Sequence, residues 1–195
     1  LARPRNLVRI IGGEYRGRRL SFIPATGLRP TPERVRETLF NWLRDDIRGA
    51  HCLDLFAGSG ALGFEALSRG AATVTAVERN RAVAQRLRDN ASLVGAADRM
   101  AVVPSDAARF LKMPPARQYD IVFLDPPFAE DLLIPSCHLL AQHGWLAPGA
   151  RVYLEAPASS GIAALPVGWR LAKAGRAGQV SFALAEAGDP RAACP

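Results

Sequence analysis

Cysteine, lysine and long apolar runs are scarce in this chain, and each scarcity excludes a class of protein. The three cysteines, Cys52, Cys137 and Cys194, lie far apart without Cys-x-x-Cys spacing, which argues against a zinc site and a disulfide framework. We therefore expect no bound metal and a reducing, cytoplasmic environment. No apolar stretch approaches the roughly 18 residues that a membrane span needs, so we expect no membrane partner. The basic N-terminal residues are not followed by the apolar segment of a signal peptide.

Lysine is scarce, and arginine supplies the positive charge instead. Only Lys112 and Lys173 are lysines among 25 basic residues, and the net charge is +7. Residues 1–48 hold eleven arginines against five acids, whereas the rest of the chain is close to neutral. Basic charge at one end of a nearly neutral chain suggests contact with a polyanion such as a nucleic acid. The alternative is a solvated, arginine-rich surface without such a partner.

The N-terminal residues predict a β-hairpin. Its arms are residues 7–11 and 18–22, and Gly12 and Gly13 supply the turn. The hairpin would carry arginines on one exposed face, where they are candidates for the polyanion contact: Arg9, Arg16, Arg18 and Arg19.

A helix should follow the proline-rich loop after the hairpin. Thr31 as N-cap, Pro32 at the first helical position and Glu33 in the first turn match the start of a helix. Apolar residues at helical spacing continue to Leu43 and should face a core.

Strands and helices alternate from residue 51 onward, and 195 residues with 49% apolar content suffice for one such α/β domain. Predicted strands are 52–56, 73–77, 100–103, 121–124 and 151–154. Predicted helices are 62–68, 82–93, 107–111 and 132–142. Apolar strands between helices indicate a parallel sheet covered on both faces. Two last strand-like runs, 169–173 and 180–185, have no helix between them, so the sheet should end in an antiparallel pair.

A glycine motif joins the first parallel strand to its helix. Gly58, Gly60 and Gly63 fit the Gly-x-Gly-x-x-Gly pattern that suits an adenosyl ligand. Gly58 and Gly60 would let the backbone approach the ligand, and Gly63 would let the helix pack closely on the strand. A nicotinamide dinucleotide would use the same glycines, so the motif alone leaves the ligand open.

Acidic residues end three of the predicted strands. Glu78, eighteen residues after Gly60, would accept both ribose hydroxyls. Asp106 would accept from an adenine amino group, cap the following helix, or do both. Asp54 suits a ligand with a cationic amino group, whereas a dinucleotide pyrophosphate would disfavour it. A strand-end cap or loop anchor is the alternative for Asp54.

Asp125, Pro126, Pro127 and Phe128 follow a buried apolar strand. Two prolines cannot continue a strand ladder, so the chain must turn there with its carbonyls unpaired. The turn would present an acid, a backbone carbonyl and an aromatic ring, which are two acceptors and a stacking face for an amino group on a planar base. This (Asp/Asn)-Pro-Pro-(Phe/Tyr) form is typical of enzymes that methylate amino nitrogens with S-adenosylmethionine (SAM), and an ordinary loop is the alternative.

With these segments in order, the chain resembles the class I SAM-dependent methyltransferases, specifically the RsmD family of bacterial 16S rRNA guanine-N2 methyltransferases. The resemblance covers almost the whole chain. Its most specific part is residues 29–43, which methyltransferases in general lack; the other matching segments are 54–70, 77–78, 105–107, 125–128, 144–146 and 177–180. It implies a Rossmann-like α/β fold with a seven-stranded, mostly parallel sheet, helices on both faces and an antiparallel last strand.

The resemblance also implies roles for individual residues. Asp125, Pro126, Pro127 and Phe128 would form the catalytic loop. Residues 29–36 would pack over the cofactor, with Thr31 and Arg34 or Arg36 near its methionine part. The expected SAM contacts are Thr31, Arg36, Asp54, Phe56, Ala57, Gly58, Gly60, Glu78, Arg79, Asp106, Ala107 and Asp125. The expected RNA contacts are Arg9, Arg16, Arg18, Arg19 and Arg34.

The expected organisation is a basic hairpin extension at residues 1–28, a methyltransferase domain at 29–187 and a flexible tail at 188–195. The expected partner is 16S rRNA within an assembled or partly assembled small ribosomal subunit. S-adenosylhomocysteine (SAH) would be the product of SAM, and we expect a monomer.

Three other functions remain open from the residues alone. An adenine-N6 methyltransferase of DNA or RNA needs the same amine acceptors as a guanine-N2 enzyme. A non-catalytic RNA-binding protein could retain the fold, although the complete motif set argues against it. A small-molecule methyltransferase or an oxidoreductase would leave the basic N-terminus unexplained.

Overall fold

The computed structural model describes residues 6–24, 30–162 and 165–188. In it, the strands that alternate with helices form one seven-stranded sheet. The strands of this sheet are β3 (His51–Asp54), β4 (Thr73–Val77), β5 (Met100–Val103), β6 (Tyr119–Leu124), β7 (Leu146–Pro157), β8 (Arg170–Ala177) and β9 (Val180–Glu186). Their spatial order is β5-β4-β3-β6-β7-β9-β8. Strand β9, the last in the chain, pairs antiparallel with both neighbours, which confirms the predicted antiparallel end of the sheet.

Helices cover both faces of the sheet, as the apolar strands predict. The helices are α1 (Glu33–Trp42), α2 (Ala61–Ser68), α3 (Arg81–Val94), α4 (Ala107–Leu111) and α5 (Leu133–Gln142). One apolar cluster joins α1, α2 and α3 to one face, and a second joins α4 and α5 to the other. Successive residues of one strand alternate between the clusters: Ile121 and Phe123 belong to the first, and Val122 and Leu124 to the second.

The last hairpin has longer arms than the sequence predicts. Strand β8 continues to Ala177, so only Gly178 and Gln179 remain for the turn. Gly175, which resembles a turn residue in the sequence, lies inside β8 opposite Phe182. A Cβ on Gly175 would come within 2.6 Å of the Phe182 ring, so the glycine makes room for a buried aromatic side chain. Tertiary packing therefore decides this segment against its local turn preference.

The N-terminal hairpin has shorter strands and a longer connection than predicted. Its strands are β1 (Leu7–Arg9) and β2 (Arg19–Ser21), which pair antiparallel. The predicted two-glycine turn is wrong, because the chain makes several bends between Ile10 and Arg18. One cause is the contact of this connection with α2, where the Tyr15 amide donates to Ser68 Oγ at 2.8 Å.

The hairpin shares the core of the sheet. Its buried side chains belong to the same apolar cluster as α1 and α2: Val8, Ile10, Tyr15 and Leu20. Of the predicted chain divisions, the boundary between residues 28 and 29 lies outside the described residues. So do Arg29, Cys194 and the predicted tail apart from residue 188.

A buried carboxylate, Glu65 of α2, joins the hairpin to two helices. Glu65 is 0% exposed and accepts from the backbone amides of Ile11 and Gly12, each at 2.9 Å. It also pairs with Arg69 at 2.8 Å and with the buried Arg36 of α1 at 3.3 Å. One side chain therefore satisfies two backbone donors and two guanidinium groups.

Replacing Glu65 with alanine is expected to lower the free energy of unfolding by about 3–5 kcal/mol. The reason is that Arg36 and the two hairpin amides would stay buried without their acceptor. Equilibrium urea denaturation measures the loss. The control is Glu33→Gln, which removes an exposed pair with Arg9 and should change stability little. Equal midpoints for wild type and Glu65→Ala would show that this network does not hold the hairpin.

Candidate active site

The carboxyl ends of the parallel strands surround a cavity of about 870 Å³. Strand β3 pairs with β4 on one side and with β6 on the other. The chain proceeds from β3 to β4 and β5 across one face, then returns to β6 and β7 across the other face. Strand order thus reverses between β3 and β6, which is where open α/β sheets bind their ligands.

Nearly all of the predicted cofactor and catalytic residues line this cavity. They are Thr31, Asp54, Phe56, Ala57, Gly58, Glu78, Arg79, Asp106, Ala107, Asp125, Pro126, Pro127 and Phe128. These residues come from five separate places in the sequence, and the sheet topology brings them together. Their roles stay predictions, but their common position is what one ligand site requires.

Gly60 does not line the cavity, contrary to the expected close approach to the ligand. It precedes α2 in a left-handed conformation, with φ of 77°. A Cβ there would come within 2.7 Å of Leu87 and of the Phe64 ring. Gly60 therefore serves the turn and the packing of α2 against α3 rather than ligand contact.

Arg36 also lies outside the cavity wall. Its guanidinium donates to the carbonyl oxygens of Thr31 at 3.1 Å and Arg9 at 2.9 Å, in addition to its pair with Glu65. The Arg36 side chain is 2% exposed, and its hydrogen bonds hold it behind Thr31, away from the cavity. We therefore replace the expected cofactor contact of Arg36 with a supporting role under Thr31.

The sequence predicts Thr31 as the N-cap of α1, and this prediction is wrong. Pro32 occupies that position and makes no side-chain capping bond. The Thr31 hydroxyl instead donates to Asp125 Oδ2 at 3.0 Å, across 94 residues of sequence. This contact places the segment after the hairpin directly on the loop that follows β6.

Glu78 and Asp106 use part of their acceptor capacity inside the protein. Glu78 accepts from the Gly58 amide at 3.0 Å and from the Asn80 amide at 2.7 Å, which fixes the glycine loop. Asp106 Oδ1 accepts from the Arg109 amide at 3.0 Å and so caps α4. Each carboxylate has further acceptor sites, so these bonds are compatible with ribose and adenine contacts.

Asp54 is a buried acid at the end of β3. It is 2% exposed, and its Oδ2 accepts from the Gly63 amide at 3.1 Å, so it anchors the start of α2. Burial, followed by the charge of Asp125, raises the pKa of Asp54 to about 7. A cationic ligand group in the cavity would favour the ionised form of this acid.

The loop after β6 has the acceptors that its sequence predicts, with one change. The Pro127 carbonyl accepts from the Glu130 amide at 3.1 Å, in a short 3-10 helix over Phe128–Glu130. Within the described residues, no hydrogen bond reaches the Pro126 carbonyl. Burial raises the pKa of Asp125 to about 6, and the Thr31 hydrogen bond opposes that rise. Phe128 is 42% exposed and is accessible for stacking.

Sequence reasoning missed Glu155, which lines the same cavity from β7. Glu155 is 4% exposed, and the Tyr153 hydroxyl donates to its Oε2 at 2.7 Å. Burial, followed by the charge of Asp125, raises the pKa of Glu155 to about 8. The available signal was one acid within an otherwise apolar strand end, at the same edge of the sheet as Asp125.

The predicted RNA-binding arginines all lie on the surface. Arg9, Arg16, Arg18, Arg19 and Arg34 are exposed. Arg9 and Arg19 are directly opposite each other across the hairpin, although Arg9 also pairs with Glu33 at 2.7 Å. Like charges at opposite positions destabilise a strand pair. Such an arrangement is more typical of a surface that binds a polyanion than of one that serves stability alone.

Metal-ligating residues are not clustered in the part of the chain that the structure describes. Among residues 6–24, 30–162 and 165–188, no three His, Cys, Asp or Glu side chains are grouped as a metal site. No helix in the same part of the chain has the length and apolar character to span a bilayer.

Three acids of the cavity have a raised pKa, which predicts that the free energy of unfolding of the ligand-free protein falls between about pH 5 and pH 8. Asp54, Asp125 and Glu155 keep protons in the folded state that the unfolded chain releases near pH 4. Each such proton lowers the free energy of unfolding by about 1.4 kcal/mol per pH unit. Urea denaturation from pH 5 to pH 8 measures this slope.

In the variant Glu155→Gln the free energy of unfolding should fall less steeply with pH, since the variant lacks one of the three acids that keep a proton in the folded state. Acids with a lowered pKa, such as the half-buried Glu186, contribute their pH dependence below this window. A wild-type stability that stays constant or rises from pH 5 to pH 8 would contradict the prediction.

Comparison with known proteins agrees with the geometry. A family model described as Conserved hypothetical protein 95 matches residues 8–186. Ribosomal RNA small subunit methyltransferase D of Escherichia coli (strain K12) is 49% identical over 177 residues, which are 91% of this chain and 88% of that protein.

Solved structures show the same fold. The protein yhhF from Escherichia coli has a TM-score of 0.87 at 45% identity, covering 94% of this chain and 99% of that one. An RNA methyltransferase from Salinibacter ruber in complex with S-adenosyl-L-homocysteine has a TM-score of 0.62 at 18% identity, covering 83% of this chain and 95% of that one. The chain therefore belongs to the RsmD family of class I methyltransferases, described as Conserved hypothetical protein 95.

Proposed function

We propose that the protein transfers the methyl group of SAM to the exocyclic N2 of a guanine in small-subunit rRNA. The observation that carries this proposal is the position of Asp125 and the Pro126 carbonyl in the wall of the cavity that also holds the glycine loop. Two amine acceptors thus lie beside the expected cofactor site. The rRNA substrate follows the relative that is 49% identical over most of this chain.

The residues of the cavity fit SAM. Glu78 binds the ribose hydroxyls, Asp106 the adenine amino group and Asp54 the cationic amino group; all three line the cavity, which supports these roles. In the same wall Asp54 and Glu155 are buried and Asp125 is half-buried, and within the described residues none of these three acids forms a salt bridge. A positively charged ligand matches that environment. The cofactor supplies an activated methyl group when it is bound.

Asp125 and Pro126 act on the amine. Guanine N2 is a poor nucleophile because its lone pair is delocalised into the ring. The Asp125 carboxylate and the Pro126 carbonyl accept its two hydrogens, which localises electron density on nitrogen and directs the lone pair toward the methyl group. Thr31 fixes the orientation of Asp125. Phe128 stacks on the base, a contact that contributes about 1–3 kcal/mol.

Most of the rate enhancement comes from positioning, because methyl transfer needs little proton chemistry before the transition state. Holding both reactants in line supplies roughly 7–11 kcal/mol in favourable cases. The target base leaves its stack or lies in an open loop to reach the cavity.

The exposed hairpin arginines contact the phosphates around the target base. The substrate is an assembled or partly assembled small subunit, and the protein acts as a monomer in the cytoplasm. The shared core of hairpin and sheet supports this arrangement, because it holds the basic surface in a fixed relation to the cavity.

The test uses radiolabelled SAM with small subunits from cells that lack this enzyme, and naked 16S rRNA as a second substrate. Label should enter the subunit RNA, and nucleoside digestion with mass spectrometry should identify N2-methylguanosine. N6-methyladenosine instead would overturn the assignment of the base. A complete lack of incorporation, with intact SAM binding, would overturn the assignment of the substrate.

A further inference from the structure

Glu155 and Asp125 lie side by side at the ends of neighbouring strands. Strands β6 and β7 run parallel, with Phe123 opposite Tyr153 and Leu124 opposite Leu154. Asp125 and Glu155 follow these pairs at the next position. Adjacent strands lie about 4.8 Å apart, so the two acids approach each other at the same cavity wall.

Within the described residues, the ionisable groups around Glu155 are acids and a phenol, and the one base in the cavity wall, Arg79, pairs with Glu130 at 2.5 Å. Tyr153 comes from its own strand and donates to it, and Asp125 comes from β6. Beyond Asp125, the ends of β3 and β4 add Asp54 and Glu78 to the same cavity. On the other side of β7, its partners in β9 are Phe182 opposite Glu155 and Ser181 opposite Ala156, neither of which is ionisable.

A purely structural role does not account for this acid. A buried carboxyl without a cationic partner is destabilising when ionised, and a glutamine of the same shape would keep the hydrogen bond from Tyr153. Glu155 is nevertheless placed in the wall of the active-site cavity, next to the acid that binds the amine. Unlike an amide, a carboxyl group there can take up and release a proton.

We propose that Glu155 is a positioning residue for Asp125, and that the two acids together hold the proton released by methyl transfer. This inference rests on the proposed function. During transfer the bond between sulfur and the methyl carbon breaks, and its electron pair stays on sulfur. A new bond forms from the nitrogen lone pair, so the positive charge passes to nitrogen. One N–H proton then moves to the Asp125 carboxylate, and Glu155 shares it.

Charge balance explains why this proton finds an acceptor at that moment. With SAM bound, the positive charge on sulfur favours the ionised forms of the neighbouring acids. Once the methyl group has moved, sulfur is neutral and the proton affinity of the acid pair rises. The total charge in the cavity is thus the same before and after transfer. The directions of the pKa shifts of Asp125 and Glu155 in the ligand-free protein agree with this high proton affinity.

The pair should therefore distinguish the charged cofactor from its neutral product. SAM and SAH differ in the methyl group and the positive charge on sulfur, so their affinity ratio isolates the response to that charge. SAM binding displaces the shared proton, and its affinity relative to SAH should rise with pH. One displaced proton changes the ratio by up to about tenfold per pH unit. The expected window lies between pH 6 and pH 8.

Isothermal titration calorimetry with SAM and with SAH, at several values from pH 6 to pH 8, tests the inference. The wild type and Glu155→Asp should show a ratio that rises with pH, whereas Glu155→Gln should show a nearly constant ratio. The matched control is Glu37→Gln, which removes an exposed acid outside the cavity and should behave as the wild type. Asp54 and Glu78 are present in every variant, so the difference belongs to Glu155.

The same rise with pH in Glu155→Gln as in the wild type would overturn the inference. If that variant does not fold, Tyr153→Phe provides the second test. Loss of the Tyr153 hydrogen bond removes an interaction that lowers the pKa of Glu155, so the rise should move to higher pH. An unchanged window in that variant would also overturn it. Failure of the wild type to bind SAM at any pH would refute the proposed function instead.

Discussion

Asp125→Ala is expected to lower the rate of methyl transfer by a factor of about 100 to 1,000, while SAM still binds. The basis for this magnitude is the loss measured when an enzyme loses one preorganised group that stabilises charge in the transition state. In the proposed mechanism the Asp125 carboxylate is the side-chain acceptor for the amine, and the Thr31 hydroxyl donates to it from a distant segment. Alanine leaves only the Pro126 carbonyl, so the lone pair is no longer directed at the methyl group.

SAM binding should survive because most of the proposed cofactor contacts lie elsewhere in the cavity. Gly58, Glu78 and Asp106 line the cavity independently of the loop after β6. Removing Asp125 also removes a half-buried acid whose ionised form is disfavoured by desolvation, so the fold should tolerate alanine. Calorimetry measures SAM binding, and single-turnover incorporation into small subunits measures the chemical step.

Two variants make the result specific. Asp125→Asn keeps one acceptor oxygen and should retain more activity than alanine. Asp89→Ala removes an exposed aspartate of α3 and should leave the rate unchanged. Full activity in Asp125→Ala would reject the proposed site, whereas loss of both activity and SAM binding would show that the acid mainly holds the cofactor.

The sequence predicted most elements because their signals are local. Strand β4, strand β5 and helix α4 begin and end at the predicted residues, since apolar periodicity and nearby glycine or acidic residues define them. The glycine loop, the strand-end acids and the proline turn were likewise evident as short patterns. The resemblance added the strand number and agreed with the antiparallel end that the last two strand-like runs already predicted.

Contacts between residues far apart in the sequence could not be predicted from local sequence patterns. Thr31 looks like an N-cap because the next residues start a helix, but its partner is 94 residues away. The resemblance implies that Arg36 contacts the cofactor, yet Arg36 pairs with Glu65 behind the cavity wall. The position of Glu155 beside Asp125 becomes evident only once β6 and β7 are known to be adjacent. In each case the deciding partner depends on strand order or helix packing, which periodicity does not encode.

Charge reversal of Arg16, Arg18 and Arg19 to glutamate is expected to weaken RNA binding by at least about a hundredfold at moderate salt, without affecting SAM binding. Each phosphate that is no longer neutralised by an arginine reduces the slope of log affinity against log salt by about 0.7–0.9, so the slope should fall by about two to three. These side chains are exposed and lie outside the cavity wall. The buried residues of the hairpin, such as Leu20, are unchanged, so it should stay docked.

Arg9 is left in place in this variant because it also pairs with Glu33 and its carbonyl accepts from Arg36. Filter binding to small-subunit RNA across a salt series measures affinity and slope. The matched control reverses three exposed bases outside both the hairpin and the cavity: Arg44, Arg48 and Lys112. Both variants change the net charge equally, so a larger loss of affinity in the hairpin variant identifies a local interaction rather than a general effect of charge. Unchanged affinity and slope in the hairpin variant would remove the hairpin from the RNA interface, and equal losses in both would leave only long-range attraction.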